Sequence, residues 1–266
     1  SWLGARAASF ESAAAVLAAL GSEGRYERDE PTALPAALIG GVPHAARSTG
    51  CFLHRDPCRT TDVLTAVPLA GSAEVGEATR VAAAAHERWH VGAETRAALL
   101  ERWADELERD RPRLVELLVR EVGKPQRFAE EEAGRAVGHA RLAAELARMP
   151  ATSEVAPGVA AATCPLGVVG LLTPWNNPLA IPVGKVAPAL AFGNGVVLKP
   201  APQATTIALA LVESLARAGA PVGLVNVVCG GADAARALCR EPRIAAVSLT
   251  GAIETGRIVA ALCAEG

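Results

Sequence analysis

Three polar side chains stand out because the residues around them are apolar. Asn176 sits in the turn Pro174-Trp175-Asn176-Asn177-Pro178, Lys185 lies within LAIPVGKVAPAL, and Lys199 ends the run GVVLK before Pro200. An asparagine amide aimed into a cleft can donate to a developing oxyanion. In a tight turn it can equally bond its own backbone. A lysine at a strand end can donate to ribose hydroxyls or to a phosphate, or can reach out to solvent along its stem. Lys185 needs a role or a partner if it points inward, and needs neither if it points outward. Gly230-Gly231 and Gly251 each precede a helical pattern. Glycines there allow close approach of a phosphate group to the N–H groups of a helix N-terminus. The spacing G-x-G-x-x-G is absent, so ordinary turns that need glycine remain an equal reading.

The elements that must position these groups follow from the apolar pattern. The runs LGVVGLL (166–172), NGVVLK (194–199), GLVNVV (223–228) and IAAVSLT (244–250) alternate with helical segments at about 179–191, 204–218, 232–240 and 252–263. Continuous apolar strands alternating with helices predict a parallel sheet covered on both faces. The fold class expected is α/β, a Rossmann-like doubly wound parallel sheet preceded by a helical N-terminal region. In such sheets a ligand lies at the strand C-terminal ends, where Thr173, Trp175, Lys199, Gly230, Gly231 and Gly251 fall.

Upstream, residues 8–20 read as a helix with Ser9 as N-cap, and residues 36–70 as short strands and turns. Ser72 is expected to cap a helix to about His86. A second helix spans 93–109, with Leu99, Trp103 and Leu107 on one face. A third starts at Asp110 and Pro112, burying Leu114, Leu117 and Leu118, and stops at Gly123. A fourth, acidic at its start, runs to about Arg148. The charged faces of these helices are expected to be solvated. Residues 151–164 read as an extended arm or short hairpin. The expected boundaries are an N-terminal extension (1–33), a helical N-terminal part (34–149), a short arm (150–165) and the Rossmann-like part (166–266).

The chain has 266 residues, 51% hydrophobic and 20% charged, with 28 acidic against 26 basic residues. A formal net charge of −2 gives no reason to expect nucleic acid or an anionic membrane as partner. No apolar run reaches the roughly 20 residues of a membrane helix. The start, SWLGARAASF, lacks the pattern of a signal peptide and lacks Met, so the chain is expected to begin inside a longer polypeptide. None of the six cysteines forms a C-x-x-C pair. Free thiols in a reducing cytoplasm and no metal site are expected.

PLGVVGLLTPWNNPLAIPVGKVAPALAFGNGVVLKP, followed by GLVNVVCG and VSLTGAIETGR, closely resembles the aldehyde dehydrogenase superfamily. Upstream, LIGG, DVLTAVPLAG, RAALLERWADELE and EVGKP are similar too, so the resemblance covers about residues 36–266. It implies an enzyme that binds NAD or NADP. It also implies oxidation of a small-molecule aldehyde to a carboxylic acid through a cysteine thiohemiacetal, hydride transfer and thioester hydrolysis. By matching motif, it makes Asn176 the oxyanion donor and Lys185 a lysine on a proton path to the general base. Leu172, Thr173 and Trp175 would form the cofactor cleft and Lys199 would bind the adenosine ribose. Gly230 and Gly231 would lie by the adenosine and Gly251 under the pyrophosphate, with Gln203, Ala252 and Thr255 completing the cofactor set.

The departures are informative. The family's general-base glutamate block and nucleophilic cysteine are expected beyond Gly266, and neither Cys229 nor Cys263 matches the nucleophile's motif. This chain would then supply the cofactor-binding half, and alone would be inactive. Two alternatives are a non-catalytic dinucleotide-binding protein and an acylating, coenzyme A-dependent enzyme. Pro202 stands where the family's Lys-Pro-x-Glu has its carboxylate, which predicts a weakened preference for NAD and tolerance of NADP. Ala252 removes a hydroxyl often found there, and VCGGAD is one residue short. Asn177 stands where an aromatic often lines the family's aldehyde tunnel, which implies a more polar substrate, or none. The short arm puts the family's homo-oligomer in question, and an open sheet edge is expected to favour aggregation.

Overall fold

The computed structural model describes residues 31–47 and 50–265; the helix expected over 8–20 lies outside them. Its centre is a six-stranded sheet. Strands β8 (Val168–Thr173), β9 (Gly195–Pro200), β10 (Val225–Val228) and β11 (Ile244–Leu249) are mutually parallel, in the order β11-β8-β9-β10. The order in which successive strands are added therefore reverses between β8 and β11, the switch point at which doubly wound sheets open a crevice.

The sheet is longer than the sequence pattern indicated. β2 (Ala37–Ile39) pairs antiparallel with β10, and β3 (Val42–His44) pairs with β2. Residues placed in a helical N-terminal part thus extend the nucleotide-type sheet. Gly40 and Gly41, both at positive φ, make the hairpin turn, a conformation that favours glycine. β1 (Thr32–Ala33), β5 (Val63–Pro68) and β4 (Cys51–Arg55) form a separate three-stranded sheet. β6 (Thr152–Ala156) and β7 (Val159–Ala162) form an antiparallel hairpin, fully exposed, which settles the arm as a hairpin.

Strand alternation divides the interior into two cores. Val169, Leu171, Val196, Leu198, Val225 and Val227 face one core with α2 (Ala93–Arg109), α3 (Arg111–Val122), α4 (Gln126–Ala147), α5 (Ala180–Ala191) and α6 (Thr205–Arg217). Val168, Leu172, Val197 and Val228 face the other, with α1 (Ser72–Arg88), α7 (Ala232–Arg240) and α8 (Ile253–Ala264). Trp103 is fully buried and its indole N–H donates to Ser214 Oγ at 3.0 Å. Gly195 lets α1 approach β9: a Cβ there would stand 2.9 Å from the Ala82 carbonyl oxygen.

Three expectations about the helices need correction. Ser72 is the first helical residue rather than the cap; Gly71 is the N-cap, and its N–H donates to Glu74 Oε2 at 2.8 Å. Leu117 is only half-buried. The acidic faces are not all solvated, since Glu74, Glu106, Glu121 and Glu132 are buried. The reason for the last two is helical spacing. Glu121 follows Leu114 and Leu118 by seven and three residues, and Glu132 lies between Ala129 and Ala136 on the same apolar stripe.

Candidate nucleotide crevice and adjoining cavity

The β-sheet register aligns the candidate residues across neighbouring strands. Leu172 pairs with Lys199 on β9 and with Leu249 on β11, and the Thr250 N–H donates to the Leu172 carbonyl at 3.1 Å. Gly251 and Ala252 follow directly. Leu172 and Thr173 are buried, and Thr173 Oγ1 has no hydrogen-bond partner among the described residues.

Lys199 is buried, which excludes the solvent-reaching alternative. Its ammonium donates to the Pro200 carbonyl at 2.8 Å and to the Gly230 carbonyl at 3.0 Å. It therefore clamps the end of β9 to the loop after β10. Burial pushes its pKa down to about 8. Cys229 beside it is fully buried, and burial pushes that thiol up to about 12. A thiol so held is a poor nucleophile.

The four helices that follow the parallel strands begin in two different ways. At α5, the N–H groups of Leu179 and Ala180 donate to Glu132 Oε1 at 2.9 and 3.0 Å. At α6, the N–H groups of Thr206 and Ile207 donate to the two oxygens of Glu121 at 2.8 and 3.0 Å. Desolvation pushes the Glu121 carboxyl up to about 7, against the pull of these hydrogen bonds. Both carboxylates come from the N-terminal helices and fill positions where a helix favours negative charge. At α7 and α8, the N-caps Gly231 and Ala252 give no side-chain hydrogen bond. No carboxylate from elsewhere among the described residues is bonded there.

The glycines at these two starts are not required by packing. A Cβ on Gly231 would meet nothing within 4 Å, and one on Gly251 would meet only Leu249 at 3.6 Å. Neither residue has positive φ. By contrast, Gly230 is packed, with Ala234 Cβ 2.8 Å from its would-be Cβ. Open space at two uncapped helix starts, an unpartnered Thr173 hydroxyl and an ammonium at the strand ends fit a dinucleotide diphosphate and its ribose. Gln203 lies in a turn of 3-10 helix (Pro202–Ala204), and Thr255 is exposed in the first turn of α8. At 202 no carboxylate is present.

A cavity of about 270 Å³ adjoins the crevice, beyond the end of β8. Val122, Pro125, Phe128 and Trp175 make its apolar wall, and Lys124, Arg135, Asn176 and Asn177 its polar one. The side-chain amide of Asn176 is exposed and has no hydrogen-bond partner among the described residues. Its backbone is held: Lys124 Nζ donates to the Asn176 carbonyl at 2.7 Å and to Asn177 Oδ1 at 3.1 Å, while also ion-pairing with the fully buried Glu132. Lys185 is not at the cavity. It is half-buried on α5, its pKa lowered by burial, and its ammonium donates to Ser248 Oγ on β11 at 2.6 Å. Glu121, Glu132 and Lys124 were not singled out from the sequence, although the helical stripe noted above carried the signal for both glutamates.

Among the described residues no helix is long and apolar enough to cross a membrane, and no group of metal-ligating side chains occurs. The model of the aldehyde dehydrogenase family matches residues 45–266. The phenylacetaldehyde dehydrogenase of Pseudomonas fluorescens is 38% identical over 242 residues, covering 85% of this chain and 48% of that protein. The aminoacetaldehyde dehydrogenase of Pseudomonas aeruginosa is 38% identical over 261 residues, covering 90% of this chain and 51% of its own length. The crystal structure of an E. coli NADP-dependent enzyme superposes with a TM-score of 0.83 at 33% identity, covering 87% of this chain and 50% of that one. The chain spans about half the length of the curated relatives it matches.

Proposed function

The chain belongs to the aldehyde dehydrogenase family, and on that premise we propose that it supplies the dinucleotide-binding part of an NAD- or NADP-dependent oxidation of an aldehyde to a carboxylic acid. The observation that carries this reading is the contrast among the four helix N-termini. Two hold buried glutamates, and the two that follow β10 and β11 are uncapped and opened by glycines that packing does not require. A bound NAD or NADP would supply the hydride acceptor.

The chain's own residues bind and orient. The N–H groups after Gly231 and Gly251 take the phosphates, with Ala252 and Thr255 at the start of α8. Lys199 takes the ribose, with Gln203 nearby, and Leu172, Thr173 and Trp175 wall the crevice. The free amide of Asn176 donates to the carbonyl oxygen as charge develops on it. A pKa lowered by burial and a hydroxyl partner support a role for Lys185 in passing a proton along α5 and β11. Among the described residues no cysteine lines the cavity, and the nucleophile is proposed to be a residue other than those that line it. The free thiols fit a reducing cytoplasm, and the exposed β6–β7 hairpin is the candidate contact for a homo-oligomer.

Calorimetric titration of the chain with NAD and with NADP tests this. Binding of both with comparable affinity is expected, because Pro202 neither accepts from the ribose nor repels a 2′-phosphate. Tight NAD binding with none for NADP contradicts the reading of position 202, and binding of neither contradicts the proposed function.

A further inference from the structure

The cavity beside Asn176 has a charge pattern that the general reaction does not explain. Its lining contains two cations and no acid. Lys124 is neutralised by Glu132. Arg135 is different: it is exposed, forms no salt bridge among the described residues, and uses one of its five donors, Nη2, on Asn177 Oδ1 at 3.3 Å. Asn177 Oδ1 accepts from both Lys124 and Arg135, so its amide N–H₂ is left as a donor on the cavity wall. Around the free Asn176 amide the cavity thus offers two further donor groups, one carrying an unneutralised charge. At about 270 Å³ it is smaller than the roughly 300–1,000 Å³ of pockets for drug-sized ligands.

We propose that Arg135, oriented by Asn177, is a specificity-determining residue that selects short aldehydes carrying a carboxylate or similar anionic group. The inference rests on the aldehyde-oxidising reading above. The carbonyl oxygen accepts from Asn176 while the anionic end accepts from the Arg135 guanidinium in the planar geometry that suits carboxylates. Phe128 and Trp175 cover the carbon chain between them. The Asn177 amide is the second donor to the anion. An aromatic side chain at that position could neither hold Arg135 nor donate.

Two unreactive amides separate the contributions. Succinamate has a carbonyl and a carboxylate, and butanamide has the same carbonyl with a methyl group at the far end. Binding to the chain is read from the indole N–H NMR signal of Trp175, assigned by its loss in Trp175→Phe. Succinamate is expected to bind about tenfold tighter than butanamide. Arg135→Ala should bring that ratio close to one and leave butanamide unchanged, with Arg135→Lys retaining part of it. Asn176→Ala should weaken both amides and keep their ratio. Equal binding of the two amides, a preference that survives Arg135→Ala, or no response to either at tens of millimolar overturns the inference. Arg135 is exposed, so loss of fold is not expected, and an unchanged melting temperature checks it. A chain that binds NAD or NADP yet shows no anion preference overturns this inference alone; the proposed function fails separately in the dinucleotide titration.

Discussion

The starts of α5 and α6 and the starts of α7 and α8 face the same physical problem and solve it differently. Each helix leaves N–H groups without intrahelical acceptors. In the first pair, carboxylates from α3 and α4 reach across and accept them inside the core. In the second pair, no side chain caps the helix and the preceding glycines leave the approach open. Surroundings differ in the same sense. β8, β9 and β10 are buried throughout, whereas β11 is only partly covered and Ile253 and Ile258 on α8 are 76% and 51% exposed. The capped pair is tied into the scaffold, and the uncapped pair keeps its first N–H groups open to approach.

The largest expected effect lies on the capped side. Glu132→Ala removes the acceptor for α5 and strands Lys124, so it should lower unfolding free energy by about 3–5 kcal/mol, read from the urea midpoint. A loss under 1 kcal/mol would mean that the buried ion pair is not structural.

Lys199→Met sharpens the comparison from the strand between. Dinucleotide affinity should fall at least about tenfold, because a charge-assisted donor is lost. Stability should move the other way. The folded pKa of about 8 against an ordinary 10.5 means burial disfavours the charged form by about 3 kcal/mol. Loss of a donor to two carbonyls offsets part of this. The unfolded chain binds more protons between these values, so stability carried by Lys199 rises as pH increases through 8 toward 10.5. Melting the wild type and the variant from pH 7 to 9 should show the wild type catching up at the alkaline end. Parallel melting curves would contradict the shift.

Gly231→Ala should change stability by less than about 0.5 kcal/mol, because the added Cβ would meet nothing within 4 Å, yet lower dinucleotide affinity about tenfold. An equilibrium titration and a thermal melt of the same sample read both. Unchanged affinity would return Gly231 to an ordinary turn.

Much of this contrast was legible in the sequence on one side only. The apolar runs 166–172, 194–199, 223–228 and 244–250 placed the parallel strands, and Lys199, Gly231 and Gly251 fell at their ends, because buried parallel strands tolerate few polar residues except there. Composition alone assigns the capping glutamates to solvated surface. Their helices are rich in acids, and charge alone does not tell a residue aimed at a distant helix from one in water; only the register against Ala129, Ala136, Leu114 and Leu118 distinguishes them. The pairing of β2 with β10 was also unreadable, since three-residue strands have no measurable period. Arg135 reads as one more exposed charge until the fold brings it against Asn177.

Ala252→Asp tests the central claim most directly, because it converts an uncapped start into a capped one. An aspartate at this N-cap should stabilise α8 by about 1 kcal/mol and put negative charge where the diphosphate is proposed to bind. Calorimetric titration with NAD, run beside a thermal melt, should show a higher melting temperature and weaker binding in the same protein. A variant that melts higher and binds NAD as tightly as the wild type would contradict the account.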